Sequence, residues 1–213
     1  MTRHRLIAGM VTLMGAAAFV ASWAGSRAAE PAAATAARNV RVLVAYYSAT
    51  GNTAKMADGA AEGVRRVAGA EAVVKKVEDV TKADLDAADG IVLGSPTYFA
   101  NLPGAMKVVI DDWNWKLKAD LTDKAGGAFA TAGGHTGGKE HVVVSLLLYM
   151  LNNRMVVAGP LYGNAKTGSV WAEMGASAVT GPLDPGVGDD ELDAARRVGE
   201  RTARLAQKLK GNP

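Results

Sequence analysis

Apolar positions change their period several times along the chain, and each change predicts an element. Val40 to Tyr46 is a short apolar run broken only by Arg41, fit for a strand buried on both faces. From Thr53 to Ala68 the small apolar residues Ala57, Ala60, Ala61, Val64 and Ala68 recur at helical spacing. Ala72 to Val77 reads as a second strand, Asp84 to Ala88 as a short connection, and Gly90 to Gly94 as a third strand. A helix follows over Pro103 to Trp113, with Leu102, Met106, Val109 and Ile110 on one side. Gly126 to Thr131 is the fourth strand, and Glu140 to Asn152 is a helix so apolar that it is expected to be mostly buried. Met155 to Ala158 begins a fifth strand, and Pro160 to Pro182 is glycine-rich and irregular. The last helix, Asp189 to Leu209, has acids in its first turn and a lysine near its end, as the helix dipole prefers.

Strands that alternate with helices predict an α/β domain with a parallel sheet covered on both faces. Ligands in such sheets bind beyond the C-terminal ends of the strands, where the strand order reverses. The loops after Tyr46, Gly94 and Thr131 are therefore the ones to inspect.

The start of the chain does not fit that domain. Arg3, His4 and Arg5 precede an uncharged apolar run from Leu6 to Val20, and Ser26-Arg27-Ala28 offers small residues at a cleavage site. Residues 1–28 are thus expected to be a signal peptide or an N-terminal anchor, and 29–38, rich in alanine, a linker. The folded domain then covers 39–211 and is exported, to the periplasm or to the outward membrane face. Removing 1–28 takes away three of the 24 basic residues (Arg3, Arg5, Arg27) and no acid, which leaves the signs equal against 21 acids. The basic balance of the whole chain belongs to the leader and gives no ground for nucleic-acid binding. The chain has no cysteine, which excludes disulfides and thiol catalysis, and only three histidines, so no metal site is expected.

Each of the three loops has an unusual composition. Ser48-Ala49-Thr50-Gly51-Asn52-Thr53 gathers hydroxyls, an amide and the N–H groups of a helix start around one point. A helix N-terminus carries partial positive charge and suits a phosphate, and Gly51 lets the backbone curl around it. No lysine stands in the loop, so this is not a nucleoside triphosphate site of the Walker kind. A tight turn capped by Thr50 or Asn52 would also account for it. In the second loop Pro96 and Thr97 turn the chain, and Tyr98, Phe99 and Asn101 could flank a flat ring and bond its edge, or pack as loop core. In the third, Thr131, Ala132, Gly133, Gly134 and His135 allow backbone N–H groups to approach a ligand edge. His135 reads either as a donor or base, or as an exposed loop histidine.

The stretch from Tyr46 to Ala57 resembles the FMN-phosphate loop of flavodoxins. "GSPTYFANLPGAMKVVID" and "FATAGGHTGGKEHV" are similar to the flavin loops of WrbA-type NAD(P)H:quinone oxidoreductases in the flavodoxin superfamily. The resemblance covers almost everything after Val40. It implies a flavodoxin-like, doubly wound five-stranded parallel sheet in the order 2-1-3-4-5. It also implies FMN held at its phosphate by Ser48 to Thr53, at its ring by Pro96 to Phe99, and at its pyrimidine edge by Thr131 to His135. Trp115 and Tyr162 fall near aromatic residues that line the substrate pocket of that family. Asn152-Asn153-Arg154 stands where the family often has a histidine, a departure that bears on the substrate pocket rather than on the cofactor.

The implied function is two-electron reduction of quinones with NAD(P)H as co-substrate, by a homo-oligomer. No side chain is expected to be catalytic in its own right, since N5 of the flavin carries the chemistry. The alternative is an exported flavodoxin-like electron carrier with no nicotinamide step. Export favours that alternative, because nicotinamides are chiefly cytoplasmic; the neutral mature charge does not, because such carriers are usually acidic. A flavin-fold module without its cofactor is a third reading, against which the intact phosphate loop argues.

Overall fold

The central strand β1 (Val40–Tyr46) alternates its side chains between two apolar layers. Leu43 and Ala45 enter one, and Val42 and Val44 the other. Parallel neighbours flank it, β2 (Ala70–Lys76) on one side and β3 (Gly90–Pro96) on the other, and β4 (Ala125–Ala132) follows β3. The computed structural model describes residues 39–160, 174–181 and 186–211, all within the unit Ala36–Pro213. The expected export segment and the linker, and also Tyr162, lie outside the described residues. Among the described residues no helix is long and apolar enough to cross a membrane.

The sheet order is β2-β1-β3-β4-β5, the doubly wound order that the resemblance implies. The reversal lies between β1 and β3, so the C-terminal ends of these two strands open the crevice where ligands bind. The helices are α1 (Asn52–Arg65), α2 (Lys82–Ala87), α3 (Gly104–Trp115), α4 (Lys139–Asn152) and α5 (Asp189–Leu209). Helices α1 and α5 pack together over one face, where Met56, Ala60, Val64, Ala195 and Val198 meet Val44, Val92 and Phe129. The other face carries α2, α3 and α4, with Leu85, Met106, Ile110, Trp113, Leu146 and Met150 in its core.

Three expectations are corrected. The connection Asp84 to Ala88 is part of a helix, started by a capping box in which the Thr81 hydroxyl accepts the Asp84 N–H and Asp84 accepts the Thr81 N–H. Helix α4 is not mostly buried: Val142, Val143, Leu146 and Met150 are covered, but Leu148 and Leu151 stand in solvent because they fall on the side turned from the sheet. The fifth position of the sheet is filled twice. Two-residue β5 (Val156–Val157) pairs with Ala125 and Gly126 at the start of β4. A further strand, β6 (Ala176–Val179), pairs with Phe129 to Ala132 at its end. That second strand lies inside the stretch read as irregular; its four small residues carry too little apolar pattern to announce it.

Candidate functional site: four loops at the strand ends

The first loop is built by Gly51. It caps α1 from the left-handed region at φ 94°, where a glycine carries no steric penalty. Neither Thr50 nor Asn52 serves as the cap; the Ser48 hydroxyl oxygen instead accepts the N–H groups of Gly51 (3.1 Å) and Ala54 (3.3 Å). The Lys55 N–H closes the first helical turn on the Gly51 carbonyl at 3.0 Å. Among the described residues the N–H groups of Asn52 and Thr53 have no acceptor, and they point out of the helix start with its partial positive charge. Thr50 is exposed beside them. The Thr53 hydroxyl does something else. It is 2 % exposed and lies 2.9 Å from the Thr131 hydroxyl, so it ties the first loop to the end of β4.

The second loop leaves β3 at Pro96. Thr97 donates its N–H to the Thr131 carbonyl at 2.7 Å, while its buried hydroxyl has no partner among the described residues. Tyr98 and Asn101 exchange both backbone bonds (2.9 and 3.0 Å) across a tight turn whose middle residues, Phe99 and Ala100, have φ of 50° and 61°. This is the mirror-image turn that normally needs glycine or asparagine. Two ordinary residues there store about 1–2 kcal/mol each, strain of a kind that clusters at ligand sites. The turn holds Phe99 wholly in solvent, so Phe99 is not loop core. Tyr98 is half-exposed and meets Tyr47 edge-on, with ring centres 6.5 Å apart. Asn101 uses its side-chain oxygen locally, accepting the Leu102 N–H at 2.9 Å.

In the third loop, Thr131 and Ala132 are the buried last residues of β4, and open space surrounds Gly133 and Gly134. His135 is exposed, and its carbonyl accepts the Lys139 ammonium at 3.2 Å. Gly138 lies so close to the second loop that a Cβ there would fall 2.7 Å from the Ala100 Cα. A fourth loop was missed from sequence. Thr180, just past β6, donates its N–H to the Ala132 carbonyl at 2.7 Å. Gly181 lies against Gly133, where a Cβ would come within 2.1 Å of the carbonyl oxygen. Gly186 lies next to Asn52, whose side-chain oxygen would stand 3.5 Å from a Cβ there. The four loops thus form one rim around the ends of β1, β3 and β4.

Trp115 is not on that rim. It ends α3, a helix of 12 residues that runs back from the second loop, so about 18 Å of helix separates them. Its neighbour Asn114 bonds to Tyr149 and Asn153 at the far end of α4. Within a single copy of the chain, Trp115, expected at the substrate pocket, stands at the far end of α3 from the second loop.

A family model described as NADPH-dependent FMN reductase matches residues 17–168. The chain belongs to this family. Among its relatives, a protein of Geobacter metallireducens named NAD(P)H dehydrogenase (quinone) is 32% identical over 206 residues, covering 81% of this chain and 100% of the relative. A flavodoxin of Aquifex aeolicus is 36% identical over 163 residues, covering 76% of this chain and 85% of its own. The fold of this FMN reductase family member is that of a WrbA-like protein of Agrobacterium tumefaciens, with a TM-score of 0.60 at 24% identity, over 80% of this chain and 99% of that one.

Several features fit FMN. The phosphate end needs donors without competing anions; among the described residues the α1 start offers two free N–H groups, and its first turn carries no acid. The ring end needs a flat, partly apolar wall with an unspent polar group, and Tyr98 with the orphaned Thr97 hydroxyl supplies both.

Proposed function

We propose that the protein is an FMN-dependent NAD(P)H:quinone oxidoreductase that works outside the cytoplasm as a homo-oligomer. The observation that carries the redox part is the α1 start: an anion nest of Ser48 to Thr53 with no basic side chain, joined in one rim to an orphaned hydroxyl and an exposed aromatic turn. Membership in the FMN reductase family and the quinone dehydrogenase relatives support the same reading.

When bound, FMN supplies the capacity to accept a hydride from a nicotinamide and pass two electrons on to a quinone. The chain supplies the rest. The N–H groups of Asn52 and Thr53, with the exposed Thr50 hydroxyl, hold the phosphate. Thr97, with its free hydroxyl, and Tyr98, steadied by Tyr47, are the groups that would hold the ring. Backbone N–H groups around Gly133 and Gly134 take up negative charge at the other edge. Phe99, outermost on the rim, is placed to meet an incoming flat substrate and to keep water from its face. Among the described residues the exposed His135 has no carboxylate partner to orient it, and it is given no proton-transfer role.

A carrier without a nicotinamide step is the second reading, favoured by the Aquifex aeolicus flavodoxin. One experiment separates the two. The tagged chain is recovered from the periplasmic fraction, its flavin is released and chromatographed, and the holoprotein is mixed with NADPH without oxygen. FMN and rapid bleaching are expected. FAD, or no flavin uptake, overturns the site; FMN without bleaching selects the carrier; recovery only from the cytoplasm overturns export.

A further inference from the structure

The hydroxyls of Thr53 and Thr131 meet across the sheet end, out of reach of solvent. Each residue is 2% exposed, and the two oxygens lie 2.9 Å apart. Burying a hydroxyl is costly unless it is bonded, and valine has the same shape without that cost. Neither hydroxyl is needed to form its own element. Thr53 lies in the first turn of α1, whose start is already built by Gly51 and Ser48. Thr131 is held in β4 by backbone pairing, opposite Pro96 on one side and Ala178 on the other. What the pair adds is a link between loops. Among the described residues, no other side chain of Ser48 to Thr53 bonds to the second, third or fourth loop. The link continues beyond Thr131. Its carbonyl accepts the Thr97 N–H at 2.7 Å, and Thr97 leads directly into Tyr98. One residue further along β4, the Ala132 carbonyl accepts both the N–H (2.7 Å) and the hydroxyl (3.3 Å) of Thr180. One side-chain bond and one backbone bond thus connect Thr53, at the anion nest, with Thr97 and its orphaned hydroxyl.

We propose that Thr131 is a positioning residue: through Thr53 it makes the phosphate-binding and ring-binding halves of the site order each other. The pair thereby helps the chain select a flavin that carries its phosphate over riboflavin. This rests on the FMN reading and deepens it. A phosphate that fixes the α1 start also fixes Thr53, and the pair passes that restraint to Thr131 and on to the second loop. A ring arriving afterwards meets a loop already ordered and binds more tightly. Linkage makes the effect equal in the other direction. Its size is limited by the bond that carries it, and one neutral hydrogen bond sustains a factor of about three to ten.

The test is a thermodynamic square on the full chain freed of its flavin. Riboflavin and inorganic phosphate stand for the two halves of the ligand, and chloride keeps the ionic strength constant. Saturating phosphate should tighten riboflavin binding about three- to tenfold in the parent. In Thr131→Val the factor should fall below about twofold, and likewise in the double variant Thr53→Val with Thr131→Val, which leaves no hydroxyl without its partner. Thr131→Ser keeps a hydroxyl and should keep the factor. Because the readout is a ratio of affinities, a general loss of stability does not imitate it. A second readout needs no variant: phosphate alone should slow hydrogen exchange at the Thr97 amide, which lies outside the phosphate loop. No coupling in the parent, coupling that survives in both valine variants, a loss in Thr131→Ser as large as in Thr131→Val, or Thr97 exchange indifferent to phosphate would overturn the proposal. A chain that takes up neither FMN nor riboflavin would overturn the FMN reading and the proposal together.

Discussion

Gly94 to alanine is the substitution whose cost the structure sets most directly. Gly94 stands in β3 between Tyr46 of β1 and Phe129 of β4, and its carbonyl accepts the Tyr47 N–H at 3.0 Å. A Cβ there would lie 2.0 Å from the Phe129 Cζ and 2.3 Å from its Cε2. Carbon atoms pack best about 3.5–4.0 Å apart, so the ring must retreat by more than an ångström. It has little room, because Phe129 is fully buried against α1, α5 and the neighbouring strands. Overpacking of this kind costs about 1–3 kcal/mol, and a ring confined on all sides puts it near the upper end. At about 2–4 °C per kcal/mol for a domain of this size, Gly94→Ala should lower the melting temperature by about 6–10 °C. The decisive control is Phe129→Leu, which removes the colliding ring atoms at its own cost. The double variant should be at least about 1 kcal/mol more stable than the sum of the single losses allows. Melting within 1 °C of the parent for Gly94→Ala, or strictly additive losses in the pair, would refute the steric argument.

Two more predictions use polar groups. Thr97→Val should leave the FMN-free protein as stable as before, or more so, because it removes a buried hydroxyl without a partner. FMN affinity should nevertheless fall about three- to tenfold in a titration; a fall in FMN-free melting temperature would mean the hydroxyl is already bonded. Asp84 is held down at about 2 by its bonds to the Lys75 ammonium and to Thr81. Because its pKa is lower folded than unfolded, its contribution is complete above about pH 4 and is lost as pH falls toward 2, amounting to about 1–2 kcal/mol after solvent screening. Asp84→Asn should flatten that part of the stability–pH curve in denaturant melts; an unchanged slope between pH 4 and 2 would sink the assignment.

The strands and the last helix were legible because their residues agree at every level. Val40 to Tyr46 is apolar on both faces, and Asp189 to Leu209 has its acids and its lysine at the right ends. The three loops were legible because hydroxyls and glycines stand where apolar runs stop. Less was legible where the structure depends on neighbours. The four residues of β6 form a strand only because β4 offers a free edge, and the fourth loop is placed by that pairing. Thr53 looked like one more phosphate donor, and only the fold reveals Thr131 across from it. Trp115 was placed by resemblance alone, which does not tell how far a 12-residue helix carries it from the second loop. Helix α2 could have been read from Thr81 and Asp84, whose capping-box spacing is plain in the sequence.

The divided fifth position of the sheet bears on how this chain can change over evolutionary time. Because β5 and β6 are both anchored on β4, the points where the chain leaves and rejoins the sheet stay only about 10 Å apart, whatever lies between. Closing a longer span between fixed anchors is cheap: doubling its length costs about 0.6 kcal/mol. Residues can thus be gained or lost between Ala158 and Gly175 while the Thr180 contact to Ala132, and with it the rim of loops, stays in register. A lineage can try new surface there next to a redox centre without rebuilding that centre, and new partners are a natural product of such a place.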